Sequence, residues 1–195
     1  MKFYRFLLLA ILIYPLPGAV GTASGCDETI VIDSIEYPVG ERWCGKKVDS
    51  ADLADKDRLR RIPEKYCFEQ SRIYVDSAAR DAFVSMAQAA EKDSVDLTVD
   101  SGYRSAGYQA RIILNRMAAG DKFQDIIRYV APPGYSEHET GRVVDLVPSD
   151  PSFARTKAFQ WLMENAKDFG FHRTFVNDTT GMMPWEPWHW IYIAE

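Results

Sequence analysis

One of only three histidines in this 195-residue chain, His189, sits in its last strand-like stretch, Trp188 to Ile193, and that placement constrains the fold. Of the other two, His138 closes a loop and is followed seven residues later by Asp145, inside the β-branched stretch Arg142 to Val147. If His138, Asp145 and His189 work together, a loop, an internal strand and the C-terminal strand must meet at one point. A catalytic zinc centre asks for such a set: three ligands of the His, Asp or Glu type and one position left open for water. A centre built this way ties the C-terminal strand to the middle of the chain and makes metal binding part of folding.

Glu186 precedes His189 by three residues. A regular strand would set the two on opposite faces, but Pro187 interrupts the ladder between them, so the alternation need not hold. A carboxylate beside zinc can take a proton from the attacking water and hand it to the leaving amine. Arg104 follows a strand in a tight turn and offers a planar donor fork for a carbonyl or carboxylate. Each residue also has an ordinary reading by itself: a surface histidine beside an acid, an aspartate capping a turn, a glutamate paired with one of 23 Lys and Arg residues. The spacings H-x6-D and E-x-x-H are common.

Periodicity supplies the frame around these residues. Ser71 to Val75 alternates like a strand, and Asp76 or Ser77 can cap a helix with Ala79, Phe83, Met86, Ala87 and Ala90 on one face. Val95 to Val99 predicts a strand ending at Ser101-Gly102, and Ser105 starts a helix to about Ala119. Asp121 to Tyr129 predicts a short helix broken by Pro132-Pro133-Gly134. Arg142 to Val147 is a strand, and a helix runs from Pro151 to its stop at Gly170. Lys46 to Arg61 is a solvated connection or surface helix. With no regular βαβ beat and no phosphate-binding glycine loop, the pattern predicts an α+β fold with a mainly antiparallel sheet.

The N-terminus has the layout of an export signal: Lys2 and Arg5, an apolar run from Phe6 to Tyr14, then a Pro/Gly break and small residues. The run is shorter than the roughly 20 residues of a membrane-spanning helix, so residues 1–25 are expected to be a leader and the protein to be exported to the periplasm or cell envelope. Ala23-Ser24-Gly25-Cys26 resembles a lipobox, which would make Cys26 a lipidated first residue and its only membrane attachment; Thr22-Ala23 or Gly18-Ala19 offers an ordinary cleavage site instead. A lipidated Cys26 leaves Cys44 and Cys67 as a disulfide or as two buried thiols. The formal charge of -5 leaves no broad basic surface for nucleic acid.

Three segments, in order, resemble the signatures of the VanY-type zinc carboxypeptidases: Ser101-Gly102-Tyr103-Arg104-Ser105, Ser136-Glu137-His138-Glu139-Thr140-Gly141-Arg142-Val143-Val144-Asp145, and Glu186-Pro187-Trp188-His189-Trp190. The resemblance spans roughly residues 70–193 and includes Trp161-Leu162, Asn165-Ala166 and Phe169-Gly170-Phe171. It implies a peptidase domain over residues 70–195 after an N-terminal extension over 26–69. The implied fold is that of the D-Ala-D-Ala metallopeptidases and the hedgehog signalling domain, a small antiparallel sheet flanked by helices.

The resemblance also implies one zinc ion per chain held by His138, Asp145 and His189, with Glu186 as general base. Arg104, Gln109 and Ser136 would hold the terminal residue of a peptidoglycan stem peptide and its carboxylate, and the protein is expected to act as a monomer. The implied reaction is release of the C-terminal D-alanine. An L,D-carboxypeptidase, a D,D-dipeptidase or an L-Ala-D-Glu endopeptidase would use the same residues, and a non-catalytic wall-peptide-binding module is the remaining alternative. Glu139 and Arg142-Val143 depart from the usual pattern and are expected to alter the charge of the site's rim. His172 matches no metal position and reads as structural or surface. Among Trp185, Trp188, Trp190 and Tyr192, most are expected in the core, with Trp185 lining the cleft.

Overall fold

The computed structural model describes residues 26–176 and 184–194, so the leader and cleavage sites of residues 1–25 lie outside the described residues. The described chain opens with a hairpin, β1 (Thr29–Ile32) and β2 (Ile35–Pro38). Asp33 and Ser34 join the strands with φ of 50° and 64°, the double left-handed turn whose twist matches the strands it joins. The polar stretch that follows forms short 3-10 turns at Ser50–Asp52 and Lys56–Arg58. It then enters β3 (Leu59–Arg61), antiparallel to β4 (Tyr74–Asp76).

α1 (Ser77–Lys92) begins where the sequence predicts. The Asp76 carboxylate caps it by accepting from the Ala78 N–H, and Ala79, Phe83, Met86, Ala87 and Ala90 are its buried face. A buried phenylalanine such as Phe83 is worth roughly 3–5 kcal/mol over alanine. β5 (Val99–Ser101) is only the end of the stretch predicted as strand; upstream of it the Thr98 carbonyl accepts from Val147 N–H. α2 (Ala106–Ala118) starts at Ser105, whose hydroxyl accepts from the Tyr108 N–H, and α3 (Phe123–Ile126) is one turn long.

β6 (Val143–Leu146) follows the motif loop. The single helix predicted from Pro151 to Gly170 is three pieces: a 3-10 segment at Pro151–Arg155, α4 (Lys157–Asn165), and a 3-10 turn at Ala166–Phe169. Thr156 divides them, because its extended backbone leaves its hydroxyl free to cap α4 at Phe159 N–H while donating back to the Phe153 carbonyl. Gly170 stops the last turn at φ 76°. β7 (Phe171–His172) and β8 (His189–Tyr192) complete a four-stranded sheet in the order β5-β6-β8-β7, every pair antiparallel. The predicted α+β architecture stands.

Two apolar cores flank the motif loop. The larger joins Phe83 and Met86 of α1, Val144 and Leu146 of β6, Trp190 of β8, and Leu162 and Phe171. The smaller joins Ile32, Val39 and Trp43 from the N-terminal segment to Ile113, Phe123, Ile126 and Ile127. Trp188 and Tyr192 pack against the larger core, as expected for most of the aromatics near the C-terminus.

The cysteines pair differently from expectation. Cys26 is bonded to Cys44, and Cys67 is a buried free thiol in the larger core. Cys67 lies against the Ile62 and Pro63 carbonyls, under the sheet side of the molecule, whereas Cys44 sits with the N-terminal hairpin. A thioether lipid on Cys26 and this disulfide use the same sulfur and exclude one another. Among the described residues no helix is long and apolar enough to cross a membrane.

Candidate metal centre

Strand alternation sets up the site. Successive β6 side chains point to opposite faces, so Val144 and Leu146 enter the larger core while Asp145 points the other way. His189 is the direct cross-strand partner of Asp145, and Trp190 that of Val144. Side chains of a directly opposed pair share a face. The aspartate and the histidine therefore meet on the side away from the core, with His189 Nδ1 3.1 Å from Asp145 Oδ1.

His138 arrives from the loop. It lies in a 3-10 turn, Glu137–Thr140, closed by Gly141 in the left-handed conformation at φ 69°. A side chain at Gly141 would also meet Ala54 and Leu59 at 3.1 Å. The turn puts the imidazole edge against Asp145, with His138 Nε2 3.1 Å from Asp145 Oδ2. Ligand atoms of His138, Asp145 and His189 all lie within 4.8 Å of one another, and all three residues are buried.

Tautomers reveal what this cluster wants. His138 Nδ1 is 2.6 Å from the Gly102 carbonyl oxygen, a group that can only accept, so Nδ1 carries the hydrogen and Nε2 a bare lone pair. That Nε2 has no hydrogen-bond partner among the described residues, although a carboxylate oxygen faces it. Burial pushes the His138 imidazole down to about 4, with Arg104 adding to the effect and Asp145 opposing it. A proton is therefore a poor bridge between the two acceptors. A metal cation is a good one, since it accepts from both.

His189 is oriented from its far side. Its Nε2 donates to Glu137 Oε2 at 2.9 Å, which leaves Nδ1 to face Asp145. Burial disfavours charge on this ring, but the hydrogen bonds and charges of Asp145 and Glu137 outweigh it and raise the imidazole to about 10. Burial likewise opposes the charge on Asp145, yet the two histidines hold its carboxyl far below the usual range. Both shifts describe a pocket that pulls positive charge towards Asp145. The donor set of two imidazole nitrogens and a carboxylate fits zinc, and a carboxylate behind a ligating histidine is the usual outer support.

The remaining motif residues surround the cluster. Pro187 and Trp188 form a turn that bends the chain, with His189 N–H donating to the Glu186 carbonyl at 3.2 Å, so Glu186 Oε2 comes within 3.7 Å of His189 Nδ1. Burial pushes the Glu186 carboxyl up to about 7; His189 and Arg104 oppose this, while Asp145 and Glu137 reinforce it. Arg104 leaves the β5 bulge, where Val99 and Ser101 oppose the adjacent residues Leu146 and Asp145. Its guanidinium lies 3.6 Å from Asp145 Oδ2, with Nε buried and unpaired among the described residues. Gln109 donates through Nε2 to the Ala131 carbonyl at 2.8 Å, leaving Oε1 buried without a partner there.

A cavity of about 90 Å³ collects these groups: Arg104, Gln109, Ser136, His138, Glu186 and His189 all line it. Asp145 does not line it but contacts His138 and His189 at 3.1 Å each, so the residues singled out from the sequence for metal or substrate converge on one cleft. Two further expectations fail. Glu139 is buried and accepts from Gly134 N–H at 2.7 Å, and Arg142 pairs with Asp52 at 2.8 Å. Both serve the loop's outer side and leave the rim's charge alone. Trp185 does not line the cavity; its aromatic wall is Trp43, Tyr129, Tyr135 and Phe175.

Sequence reasoning passed over Glu137 as a player in its own right, although an acid directly before a ligand-type histidine was a signal. It also passed over Gly102, whose carbonyl fixes the His138 tautomer. An added Cβ at Gly102 would lie 2.7 Å from both Ile73 Cγ2 and the Tyr74 carbonyl oxygen. Only glycine lets the strand end pass that close.

The comparisons with known proteins agree with this geometry. Residues 72–195 match the family model VanY: D-alanyl-D-alanine carboxypeptidase. The chain is 29% identical over 168 residues to a D-alanyl-D-alanine carboxypeptidase of Enterococcus faecium, covering 85% of this chain and 51% of that one. The Bacillus subtilis protein YodJ is 30% identical over 145 residues, 69% of this chain and 53% of YodJ. The chain therefore spans about half the length of these curated relatives. Among solved structures, the VanY D,D-pentapeptidase of the VanB-type resistance cassette, in complex with Zn(II), aligns at TM-score 0.57 and 26% identity. That alignment covers 76% of this chain and 83% of that one. The LdcB LD-carboxypeptidase aligns at TM-score 0.65 and 24% identity, over 87% and 86% of the two chains, and shares the fold. With a family match that runs through all three motif segments, the chain belongs to the VanY family of D-alanyl-D-alanine carboxypeptidases.

Proposed function

We propose that this protein is a zinc-dependent carboxypeptidase that removes the C-terminal D-alanine from peptidoglycan stem peptides in the cell envelope. The observation that carries the reading is the bare Nε2 of His138 facing Asp145 Oδ2 at 3.1 Å, two acceptors that a metal cation reconciles, beside a raised Glu186 carboxyl. His138, Asp145 and His189 are the ligands, one ion per chain. Zinc bound there supplies Lewis-acid polarisation of the scissile carbonyl and acidifies the attacking water towards roughly pKa 7.

The chain's own residues do the rest. Glu186, whose Oε2 lies 3.7 Å from His189 Nδ1, takes the proton from the water and returns it to the departing amine, the double role of a general acid-base carboxylate. Arg104 offers its fork to the substrate's terminal carboxylate or the reacting carbonyl. Gln109, with Nε2 donating to Ala131 and Oε1 buried without a partner among the described residues, offers that oxygen to an N–H of the substrate backbone. Ser136 is the remaining polar group for the terminal residue. The cavity, about 90 Å³, is far below the roughly 300–1,000 Å³ of sites that enclose drug-sized ligands. It suits a terminal residue as small as alanine, with the rest of the stem outside.

Incubating the zinc-loaded protein with penta-, tetra- and tripeptide stems and weighing the products tests this. Loss of one alanine from the pentapeptide is the expected result. Cleavage of the tetrapeptide alone would make it an L,D-carboxypeptidase with the same machinery, and no cleavage of any stem would leave a binding module.

A further inference from the structure

Part of the cleft's aromatic wall comes from a segment of the chain outside the family match at residues 72–195. Trp43 lines the cavity together with Gln109, Tyr129 and Tyr135, and only 4% of it is exposed. Its indole Nε1 donates to the Ile127 carbonyl at 2.6 Å, which fixes the ring in its plane. The residue next to it, Cys44, is bonded to Cys26.

Several ties hold this segment to the motif loop. Glu28 accepts from the Tyr135 hydroxyl at 2.6 Å and from Gly45 N–H at 2.8 Å, joining the cavity's tyrosine to the residues flanking the disulfide. Val48 N–H donates to the Gly134 carbonyl and Ala54 N–H to that of Glu139, each at 2.9 Å. Arg42 donates to the Arg128 carbonyl beside Tyr129. A strap that only covered a hydrophobic patch would have no need to aim an immobilised indole and a hydrogen-bonded tyrosine into the space a substrate's end must enter.

We propose that the disulfide-locked segment of residues 26–48 is the specificity wall of the cleft, with Trp43 as the residue that limits the size of the terminal side chain. The inference rests on the carboxypeptidase reading and deepens it. Trp43 works by occupying space beside Gln109, and the Cys26–Cys44 bond keeps it there. A side chain that overlaps the indole is rejected, and one the size of a methyl group is not.

The test is steady-state kinetics of the zinc-loaded protein on two pentapeptide stems, one ending in D-alanine and one in D-leucine, with zinc content measured on every variant. Cys26→Ser/Cys44→Ser should raise KM for the D-alanine stem several-fold while leaving kcat and zinc content as they are. Trp43→Ala should shift the kcat/KM ratio towards D-leucine by about tenfold or more, the scale on which a pocket discriminates by one or a few methylenes. Because Trp43 also packs in the smaller core, Trp43→Phe is the folding-safe companion and should give a smaller shift in the same direction. If the native protein cuts neither stem, the proposed release of D-alanine from the pentapeptide fails and this inference with it. If it cuts the D-alanine stem and the variants keep the native KM and the native preference, the wall has no role in specificity and the inference alone is overturned.

Discussion

Two places among the described residues gather three ligand-type side chains within 4.8 Å: His138, Asp145 and His189 at the sheet, and Cys26, Glu28 and Cys44 in the N-terminal segment. By residue type the second is as good a metal site as the first. By bonding they differ completely. The two sulfurs are joined to each other, and Glu28 is already satisfied by the Tyr135 hydroxyl and the Gly45 N–H. In the first cluster a buried imidazole nitrogen has its hydrogen spent elsewhere and faces a carboxylate. Proximity of ligand types does not make a metal centre; lone pairs with nothing else to accept do.

The sharpest way to break this contrast is to remove a ligand. His138→Ala should abolish stoichiometric zinc, read by atomic absorption after dialysis, and turnover with it. Glu186→Ala should keep the metal and lose about 10²–10⁴ in kcat, the range of a general base. Zinc that persists in the His138 variant would put the metal elsewhere, with the cysteine cluster the first place to look.

Next in size is the support behind the ring. Glu137→Ala removes the acceptor that turns His189 Nδ1 towards Asp145, and zinc affinity should fall by about 10–100-fold, the usual cost of an outer-shell partner. Competition with a chromophoric chelator reads this directly. An unchanged affinity would mean that strand register alone orients the ring.

The N-terminal cluster should respond in stability and leave zinc untouched. The disulfide closes a sequence separation of 18, for which chain entropy gives about 3 kcal/mol. Cys26→Ser/Cys44→Ser should lower the denaturant midpoint accordingly while native zinc content is retained; lost zinc would erase the distinction between the two clusters.

The smallest expected effect is on acidification. Hydrogen bonds from Tyr135 and Gly45, helped by Lys47, hold the Glu28 carboxyl below its ordinary value. A carboxyl depressed in the folded state adds stability that is present above its unfolded pKa and lost as pH falls through the depressed one. The segment should therefore loosen below about pH 4, seen as faster hydrogen exchange at the Trp43 indole. Glu28→Gln should blunt that pH dependence, and identical profiles for the two proteins would assign the loosening to another acid.

Much of the metal centre was legible because it is written in local terms. Two motif segments carry the candidate ligands and a third carries Arg104, Gly141 marks the turn between His138 and β6, and Pro187 marks the bend that brings Glu186 beside His189. The caps at Asp76 and Ser105 and the apolar face of α1 follow from short-range spacing in the same way. Thr156 shows the limit of such reading. Its hydroxyl caps α4 and breaks a helix that periodicity alone would run from Pro151 to Gly170.

What the chain could not announce was every pairing between distant segments. Cys26 meets Cys44 and leaves Cys67 buried because the hairpin and the larger core lie apart, and no spacing rule among three cysteines encodes that. The cross-strand register of Asp145 with His189, the Gly102 carbonyl that sets a tautomer, and the aromatic wall built from Trp43 in place of Trp185 are of the same kind. The sequence by itself determined which residues have the chemistry to hold a metal and move a proton. Only the tertiary structure decided which lone pairs are left bare and which side chains line the cleft, since both depend on atoms brought together by folding and not on their neighbours along the chain.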